Sequence, residues 1–207
     1  KNLIPGIEIS GVVEAVGEKV TLFKPKDIVH GLTGLGLKGY AEYCCLPEKV
    51  KDGAQERKGY ITIVPKNLSL PEAAVIPSAA LTALKNLQKG KIKAGDEILI
   101  NGASGSLGTY AIQLAKHYGA IVTAVCSGKN FELVKSLGAD IVIDYTQEDF
   151  LQTDKKYDLV YDAVMKSTRK KCNKILKKGG TFLNNYWLSS IKAADISLLH
   201  ELIEDNK

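Results

Sequence analysis

The chain has 207 residues, of which 45% are hydrophobic and 25% charged, as in an ordinary globular protein. The net charge of +5 comes from basic residues spread through lysine-rich helices and turns, which favours a solvated surface over a nucleic-acid-binding face. No apolar run approaches the length of a membrane span. The spacing of the four cysteines indicates neither a disulfide framework nor a metal knuckle, and it is compatible with a reducing cytoplasm.

The first 77 residues are predicted to be β-rich and irregular. Short apolar or alternating runs bounded by glycine or proline predict strands at 11–17, 27–31, 39–45 and 61–64. The charged residues between 48 and 60 predict a surface loop. Ser69 is a candidate N-cap for a helix with Pro71 in its first turn, and we expect no full capping box because position 73 is alanine.

From residue 79 onwards the pattern changes to helices alternating with strands. Apolar residues at helical spacing predict helices at 79–88, 107–118, 131–138 and 168–178. Continuous apolar runs predict strands at 97–100, 120–126, 141–145, 157–163 and 181–183. Strands this apolar, separated by helices, predict an α/β fold with a doubly wound parallel sheet of the Rossmann type.

The loop at residues 101–108 follows the first strand of this alternation and precedes its helix. Gly102 permits a tight turn, Gly105 permits a pyrophosphate to approach the backbone, and Gly108 permits close packing of helix on strand. The free N–H groups and positive dipole end of the helix favour phosphate there. An ordinary Gly/Ser-rich turn is the alternative, and the surrounding βαβαβ pattern favours dinucleotide binding.

The choice of cofactor is predicted from residues 127–130, at the end of the second strand. An NAD site usually places a carboxylate there for the ribose 2′-hydroxyl, and this stretch has none. Ser127 can donate a hydrogen bond and Lys129 can supply positive charge, which favours the 2′-phosphate of NADPH. The alternative for Lys129 is a solvent-facing side chain. Tyr145 either closes over the same phosphate or belongs to the core.

No Ser/His/Asp arrangement and no pair of carboxylates suited to acid–base catalysis is evident. His30, His117 and His200 lie far apart, and no cluster has zinc-ligand spacing. Hydride transfer therefore fits best, because the cofactor carries the chemistry and the protein orients it. We assign no catalytic residue.

Several stretches together resemble the zinc-independent medium-chain dehydrogenase/reductase family, in particular quinone oxidoreductases of the zeta-crystallin type. They are residues 6–13, 23–29, 39–43, 72–84 and 101–108. The resemblance implies a GroES-like, β-rich catalytic domain at 1–77, an NADP-binding Rossmann domain at 78–187, and a segment at 188–207 that returns to the catalytic domain. It also implies a homodimer. We expect residues of the family pattern to be missing at both ends and around 187–195.

The resemblance also implies roles for individual residues. Thr82 would approach the nicotinamide, and Ala163 would line the adenosine side. The pyrophosphate would contact Ala103, Ser104, Gly105, Ser106, Leu107 and Gly108, and the 2′-phosphate would contact Ser127, Lys129 and Tyr145. Ile7 replaces the histidine of a glycine–histidine–glutamate motif, which implies no metal.

The implied function is NADPH-dependent hydride transfer to a quinone or a conjugated enone or enal. Two alternatives remain open. One is a non-enzymatic dinucleotide-binding protein with a crystallin-like or regulatory role, and the other is an enoyl-thioester reductase.

Overall fold

A computed structural model describes residues 4–185 and 191–205. These residues form two compact units, one comprising residues 4–81 and 191–205 and the other residues 82–185. The elements in chain order are β1 (Glu8–Val12), β2 (Ile28–Leu32), α1 (Gln55–Lys58), β3 (Tyr60–Ile63), α2 (Leu70–Ala74), α3 (Ile76–Gly90), β4 (Glu97–Asn101), α4 (Ser106–His117), β5 (Ile121–Cys126), α5 (Phe131–Ser136), β6 (Ile141–Asp144), β7 (Tyr157–Asp162), α6 (Arg169–Cys172), β8 (Leu176–Asn184) and α7 (Ala193–Glu204). The boundary between the units falls within α3, whereas the boundary expected at residues 187–188 lies outside the described residues.

The first unit contains a three-stranded antiparallel sheet with β2 in the centre, between β1 and β3. The strand predicted at 39–45 does not form. Instead, the backbone N–H groups of Gly39 and Tyr40 donate to carbonyls near residue 5 in a turn, and the side chains of Tyr40 and Tyr43 are exposed. Alternation of aromatic and small residues therefore reflects no burial here, and the described residues supply no strand to pair with this run.

Helix α2 begins as predicted, with Ser69 as its N-cap and Pro71 in its first turn. The expectation of no full capping box is wrong. The third residue after the cap is Glu72, and its carboxylate accepts a hydrogen bond from the Ser69 backbone N–H at 2.8 Å. This is the reciprocal arrangement of a capping box, and it satisfies N–H groups that the helix itself leaves without partners.

The second unit is a five-stranded, all-parallel sheet in the order β6-β5-β4-β7-β8. The doubly wound parallel sheet predicted from the sequence is therefore confirmed. The chain enters at the central strand β4, proceeds outward to β6, and then returns to the other side of β4 with β7. The order reverses between β4 and β7, and open parallel sheets bind ligands at the carboxyl ends of the strands beside such a reversal.

The core of this sheet explains why its strands have continuous apolar sequences. Ile98, Leu99 and Ile100 of β4 are fully buried, so both faces of the strand are covered. Each such side chain contributes roughly 1.5–3 kcal/mol to folding. The core fixes the strand ends from which the loops described below extend.

The helix predicted at 168–178 is wrong beyond its first turn. Thr168 caps α6, which ends at Cys172, and β8 begins at Leu176. Leu176 pairs with Tyr157 of β7, and the Tyr157 N–H donates to the Ile175 carbonyl at 2.8 Å. Pairing with a buried neighbouring strand outweighs the helix propensity of the lysine-rich run.

Candidate dinucleotide site

The glycine-rich loop joins the end of β4 to the start of α4. Gly102 has a φ of 81°, a left-handed conformation that glycine adopts without strain. The backbone N–H groups of Gly102 and Ala103 donate to the Val125 carbonyl at 3.1 and 3.0 Å. The loop is therefore anchored to the end of the neighbouring strand β5.

The other two glycines of the loop have different surroundings. A Cβ atom on Gly108 would lie 2.3 Å from the Gly102 carbonyl oxygen, so glycine is required where the helix packs on the loop. A Cβ atom on Gly105 would meet only the Gly102 carbonyl oxygen, at 3.4 Å. The space before Gly105 is thus open to a ligand, and the space at Gly108 is filled by backbone.

The N-terminus of α4 is suited to a phosphate. Its N-cap is Gly105, no side chain caps it, and its first turn, all of which is described, contains no acidic residue. Its first N–H groups therefore face no competing carboxylate, and the helix dipole adds a favourable potential for an anion. Ser104 and Leu107 are half-buried, Ser106 is exposed, and Ala103 is fully buried.

A second loop, at residues 127–130, follows β5 and lies beside the first. Its last three residues form a 3₁₀ turn in which Lys129 is exposed. The Asn130 side-chain amide donates to the Ser104 hydroxyl at 3.0 Å and to the Ser127 hydroxyl at 3.2 Å. Sequence reasoning did not single out Asn130, although it belongs to the stretch used to choose the cofactor.

The fold brings a carboxylate to this second loop. Asp144, at the end of β6, approaches Gly128 so closely that a Cβ there would lie 2.6 Å from its Oδ2. Hydrogen bonds from the Thr146 hydroxyl and N–H, and then from the Gly128 N–H, lower the pKa of Asp144. Residues 127–130 themselves contain no carboxylate, but the prediction that none is available to repel a 2′-phosphate at this loop is wrong. The acidic residue comes from the neighbouring strand.

Tyr145 is an exposed residue at the same edge of the sheet. Its backbone N–H donates to the Cys126 carbonyl at 3.2 Å, and 59% of the residue surface is exposed. Of the two interpretations of Tyr145, membership of the core is therefore wrong. Its position beside the end of β5 leaves the side chain accessible to a ligand at Ser127.

The end of β7 is tied to the start of the glycine-rich loop by a buried carboxylate. Asp162 is fully buried and accepts from the Asn101 side-chain amide at 3.0 Å and from the backbone N–H groups of Val164 and Ser167. The Ala163 N–H donates to the Asn101 carbonyl at 3.0 Å. These bonds satisfy the buried carboxyl group and hold Ala163 beside the loop.

Thr82 lies half-buried on α3, one turn before Asn86. The Asn86 side-chain amide donates to the Tyr161 hydroxyl and to the side-chain oxygen Oδ1 of Asn185, both at 3.1 Å, and the Tyr161 hydroxyl donates to the same Oδ1. Burial raises the pKa of Tyr161 to about 12, so it remains a neutral hydrogen-bonding group. The Asn185 amide in turn donates to the Ala163 carbonyl at 2.8 Å. This buried network, which sequence reasoning missed, connects the helix of Thr82 to the end of β7.

Ile7, which is expected to replace a metal-binding histidine, is an exposed residue. The neighbouring Glu8 carboxylate accepts from the Ser78 N–H at 3.0 Å, and burial raises the pKa of Glu8. Within residues 4–185 and 191–205, no group of three or more His, Cys, Asp or Glu side chains is arranged to hold a metal ion. No helix in that part of the chain is long and apolar enough to cross a membrane.

The strand order, the reversal between β4 and β7 and the glycine-rich loop define a Rossmann-type unit. Residues 106–184, all in this unit, match the family described as zinc-binding dehydrogenase. The chain is 41% identical over 181 residues to a 2-methylene-furan-3-one reductase of Solanum lycopersicum, covering 86% of this chain and 45% of that protein. It is 39% identical over 180 residues to a chloroplastic NADPH-dependent alkenal/one oxidoreductase of Arabidopsis thaliana, with the same coverage.

Among solved structures, the quinone oxidoreductase of Coxiella burnetii superimposes with a TM-score of 0.73 at 25% identity, covering 98% of this chain and 68% of that one. The chain belongs to the medium-chain dehydrogenase/reductase family, and its relatives include quinone and alkenal oxidoreductases. It spans about half the length of the curated relatives it matches.

Proposed function

We propose that this chain binds NADPH and forms the dinucleotide-binding part of a zinc-free oxidoreductase that transfers hydride to a quinone or a conjugated enone or enal. The supporting observation is the pair of adjacent loops at one edge of the parallel sheet. One is a glycine-rich turn open at Gly105, and the other carries Ser127 and Lys129. The names of the relatives support the same reaction class.

The glycine-rich loop fits a pyrophosphate. Gly105 leaves open space where a side chain would stand, and the α4 N-terminus directs N–H groups into it. In this proposal Ala103, Ser104, Gly105, Ser106, Leu107 and Gly108 hold the pyrophosphate, mainly through backbone N–H groups. Gly108 acts indirectly, by letting the helix approach the loop.

The second loop is proposed to hold the 2′-phosphate through Ser127, Lys129 and Tyr145. Ser127 supplies a hydroxyl donor, Lys129 a positive charge, and Tyr145 an exposed phenol. The Asp144 carboxylate, which its hydrogen bonds from Thr146 and Gly128 hold in the ionised form, disfavours a phosphate here, and in this proposal Lys129 and the two hydroxyl groups outweigh it.

Ala163 is proposed to line the adenosine side, and Thr82 to approach the nicotinamide at the other end of the cofactor. When bound, the cofactor supplies the hydride. The protein fixes the position of the ring through α3, whose Asn86 is hydrogen-bonded to the end of β7.

Calorimetric titration of the whole chain with NADPH and with NADH tests the cofactor proposal. We expect NADPH to bind at least about tenfold more tightly, a difference of about 1.4 kcal/mol. Equal or tighter binding of NADH would show that the 2′-phosphate is not recognised.

The substrate class is tested by following NADPH oxidation with a simple quinone, a conjugated enone and an enoyl thioester. Turnover of the first two supports the proposal, and turnover of the thioester alone supports an enoyl-thioester reductase. Binding of NADPH without turnover of any of them supports the non-enzymatic alternative.

The remaining expectations stay part of the proposal. They are domain ranges of 1–77, 78–187 and 188–207, a homodimer, and a cytoplasmic location. The four free cysteines, two exposed and two buried, are compatible with a reducing compartment. Light scattering of the purified chain tests the dimer, and metal analysis after dialysis tests the absence of zinc.

A further inference from the structure

Asn130 occupies a position between the two proposed phosphate loops. Its side-chain nitrogen lies 3.0 Å from the Ser104 hydroxyl oxygen in the glycine-rich loop and 3.2 Å from the Ser127 hydroxyl oxygen at the end of β5. Asn130 and both serines are only partly buried, so the hydroxyls remain accessible from the ligand side. One amide group therefore connects two hydroxyls that belong to different strand–helix turns.

The direction of these hydrogen bonds has a chemical consequence. An amide nitrogen only donates, so both serine oxygens act as acceptors toward Asn130. A hydroxyl that accepts through its oxygen keeps its own proton free to donate. Phosphate oxygens at neutral pH need donors, and Asn130 thus prepares both Ser104 and Ser127 to donate to an anion.

The mechanical consequence is that one loop holds the other. The glycine-rich loop is fixed by the hydrogen bonds of Gly102 and Ala103 to the Val125 carbonyl. The second loop is held on one side by Asp144, which is in close contact with Gly128, and on the other by the bond from Asn130 to Ser104. Loss of the Ser104 hydroxyl removes one of these two attachments.

We infer that Asn130 is a positioning residue that couples the pyrophosphate end of the site to its 2′-phosphate end, so that discrimination between NADPH and NADH depends on the Ser104 hydroxyl. The inference rests on the proposed binding of NADPH by these loops. It assigns a contribution to specificity to a residue of the pyrophosphate loop, which does not itself hold the 2′-phosphate.

The test is a calorimetric measurement of the ratio of the NADH to the NADPH dissociation constant for the whole chain. We expect Ser104→Ala to lower this ratio by about fivefold, as expected for one lost hydrogen bond, and Asn130→Ala, which removes the bonds to both serines, to lower it at least as much. The double variant should lower it no further than Asn130→Ala alone. Ser104→Thr retains a hydroxyl and should retain the ratio of the wild type.

Ser106→Ala is the matched control, because Ser106 lies in the same loop but is not an acceptor of Asn130. It should weaken the binding of both cofactors alike and leave their ratio unchanged. Asn130→Asp, which can only accept from the two hydroxyls, gives a second variant at the central position and should lower the ratio further than alanine does. Thermal unfolding of each variant confirms that it is folded.

Two failures can be told apart. If the wild-type chain prefers NADPH and Ser104→Ala weakens both cofactors equally, the coupling is overturned while the proposed function stands. If the wild type binds neither cofactor, or prefers NADH, the proposed function fails and the coupling fails with it.

Discussion

The imidazole rings of His30 and His200 are hydrogen-bonded to each other, with 2.9 Å between their Nε2 atoms, although the two residues lie 170 positions apart. The second ring nitrogen of His30 is 2.9 Å from the Ala73 carbonyl, so His30 donates there and accepts from His200 through Nε2. The pair thereby joins the central strand β2 to α7 and lies beside a cavity also lined by Tyr60 and Leu199.

This pair makes the chain sensitive to acid. Burial, opposed by the bond to Ala73 and reinforced by His200, lowers the pKa of His30 from 6.5 to about 4. Burial also lowers the pKa of His200, against the attraction of Glu204 one turn further along α7. In the unfolded chain His30 binds a proton near pH 6.5, whereas in the folded chain it does so only near pH 4.

The stability from this group is therefore fully present above pH 6.5 and is lost as the pH falls to about 4. The expected loss at His30 is about 3 kcal/mol, at about 1.4 kcal/mol per pKa unit. Urea unfolding at several pH values measures it. His200→Gln should reduce the pH dependence, and His117→Gln, at an exposed position, should leave it unchanged. Equal pH dependence in all three proteins would contradict this assignment.

Two of the loop glycines, Gly105 and Gly108, are predicted to respond differently to alanine. At Gly108 a Cβ atom would lie 2.3 Å from a backbone oxygen, so Gly108→Ala should cost at least about 2 kcal/mol of folding free energy. At Gly105 the φ of −80° suits alanine and the nearest atom is 3.4 Å away, so Gly105→Ala should keep its stability.

The binding of NADPH should separate the two variants again. The new methyl group of Gly105→Ala would occupy the space proposed for the pyrophosphate and should weaken binding at least about tenfold. Thermal unfolding and calorimetry on the same samples measure both effects. A Gly105→Ala variant that binds NADPH normally would place the pyrophosphate elsewhere.

These glycines could be predicted from the sequence because their requirement is local. A strand followed by Gly102, Gly105 and Gly108 at that spacing implies a tight turn and close helix packing, whatever surrounds it. The parallel sheet was predictable for a similar reason, since strands such as β4 have an uninterrupted apolar run, here residues 98–100. The strand predicted at 39–45 failed because alternation does not reveal whether a partner strand exists.

The contacts that organise the site could not be predicted, because they depend on which strands become neighbours. Asp144 reaches Gly128 only because β6 lies beside β5, and Asn86 meets Tyr161 only because α3 packs near β7. In a single sequence, Asp144 and Asn86 are common polar residues that carry no sign of their partners.

Lys129 is predicted to discriminate between the two cofactors by charge. Lys129→Ala should weaken the binding of NADPH about tenfold and change that of NADH less than about twofold, because only the former carries a 2′-phosphate. The preference of the wild type should also fall as salt is added, since the lysine is exposed and its charge is screened. Lys135→Ala, an exposed lysine on α5, is the control and should change neither affinity.

The network of Asn86, Tyr161 and Asn185 is predicted to stabilise the fold as a unit. Asn86→Ala removes the donor to a buried phenol and should cost about 1–3 kcal/mol. Tyr161→Phe should cost only about 1 kcal/mol, because the Asn86 amide still donates to Asn185 at 3.1 Å after the hydroxyl is gone. In the double variant the two losses should not add, because the single variants share the loss of the Asn86–Tyr161 hydrogen bond and only the double variant removes both donors to Asn185 Oδ1.

Urea unfolding of the four proteins at pH 7 gives the coupling free energy directly. If the double variant loses as much unfolding free energy as the two single variants together, the two groups act independently.

The same variants should also weaken the binding of NADPH, because Asn185 holds the Ala163 carbonyl at 2.8 Å and Thr82 lies one turn before Asn86 on α3. The pattern of affinities distinguishes this effect from that of Lys129→Ala, which should weaken mainly the binding of NADPH. Here the affinities for NADPH and NADH should fall together, because the network's hydrogen bonds among the described residues run to Ala163 and not to the loop at 127–130.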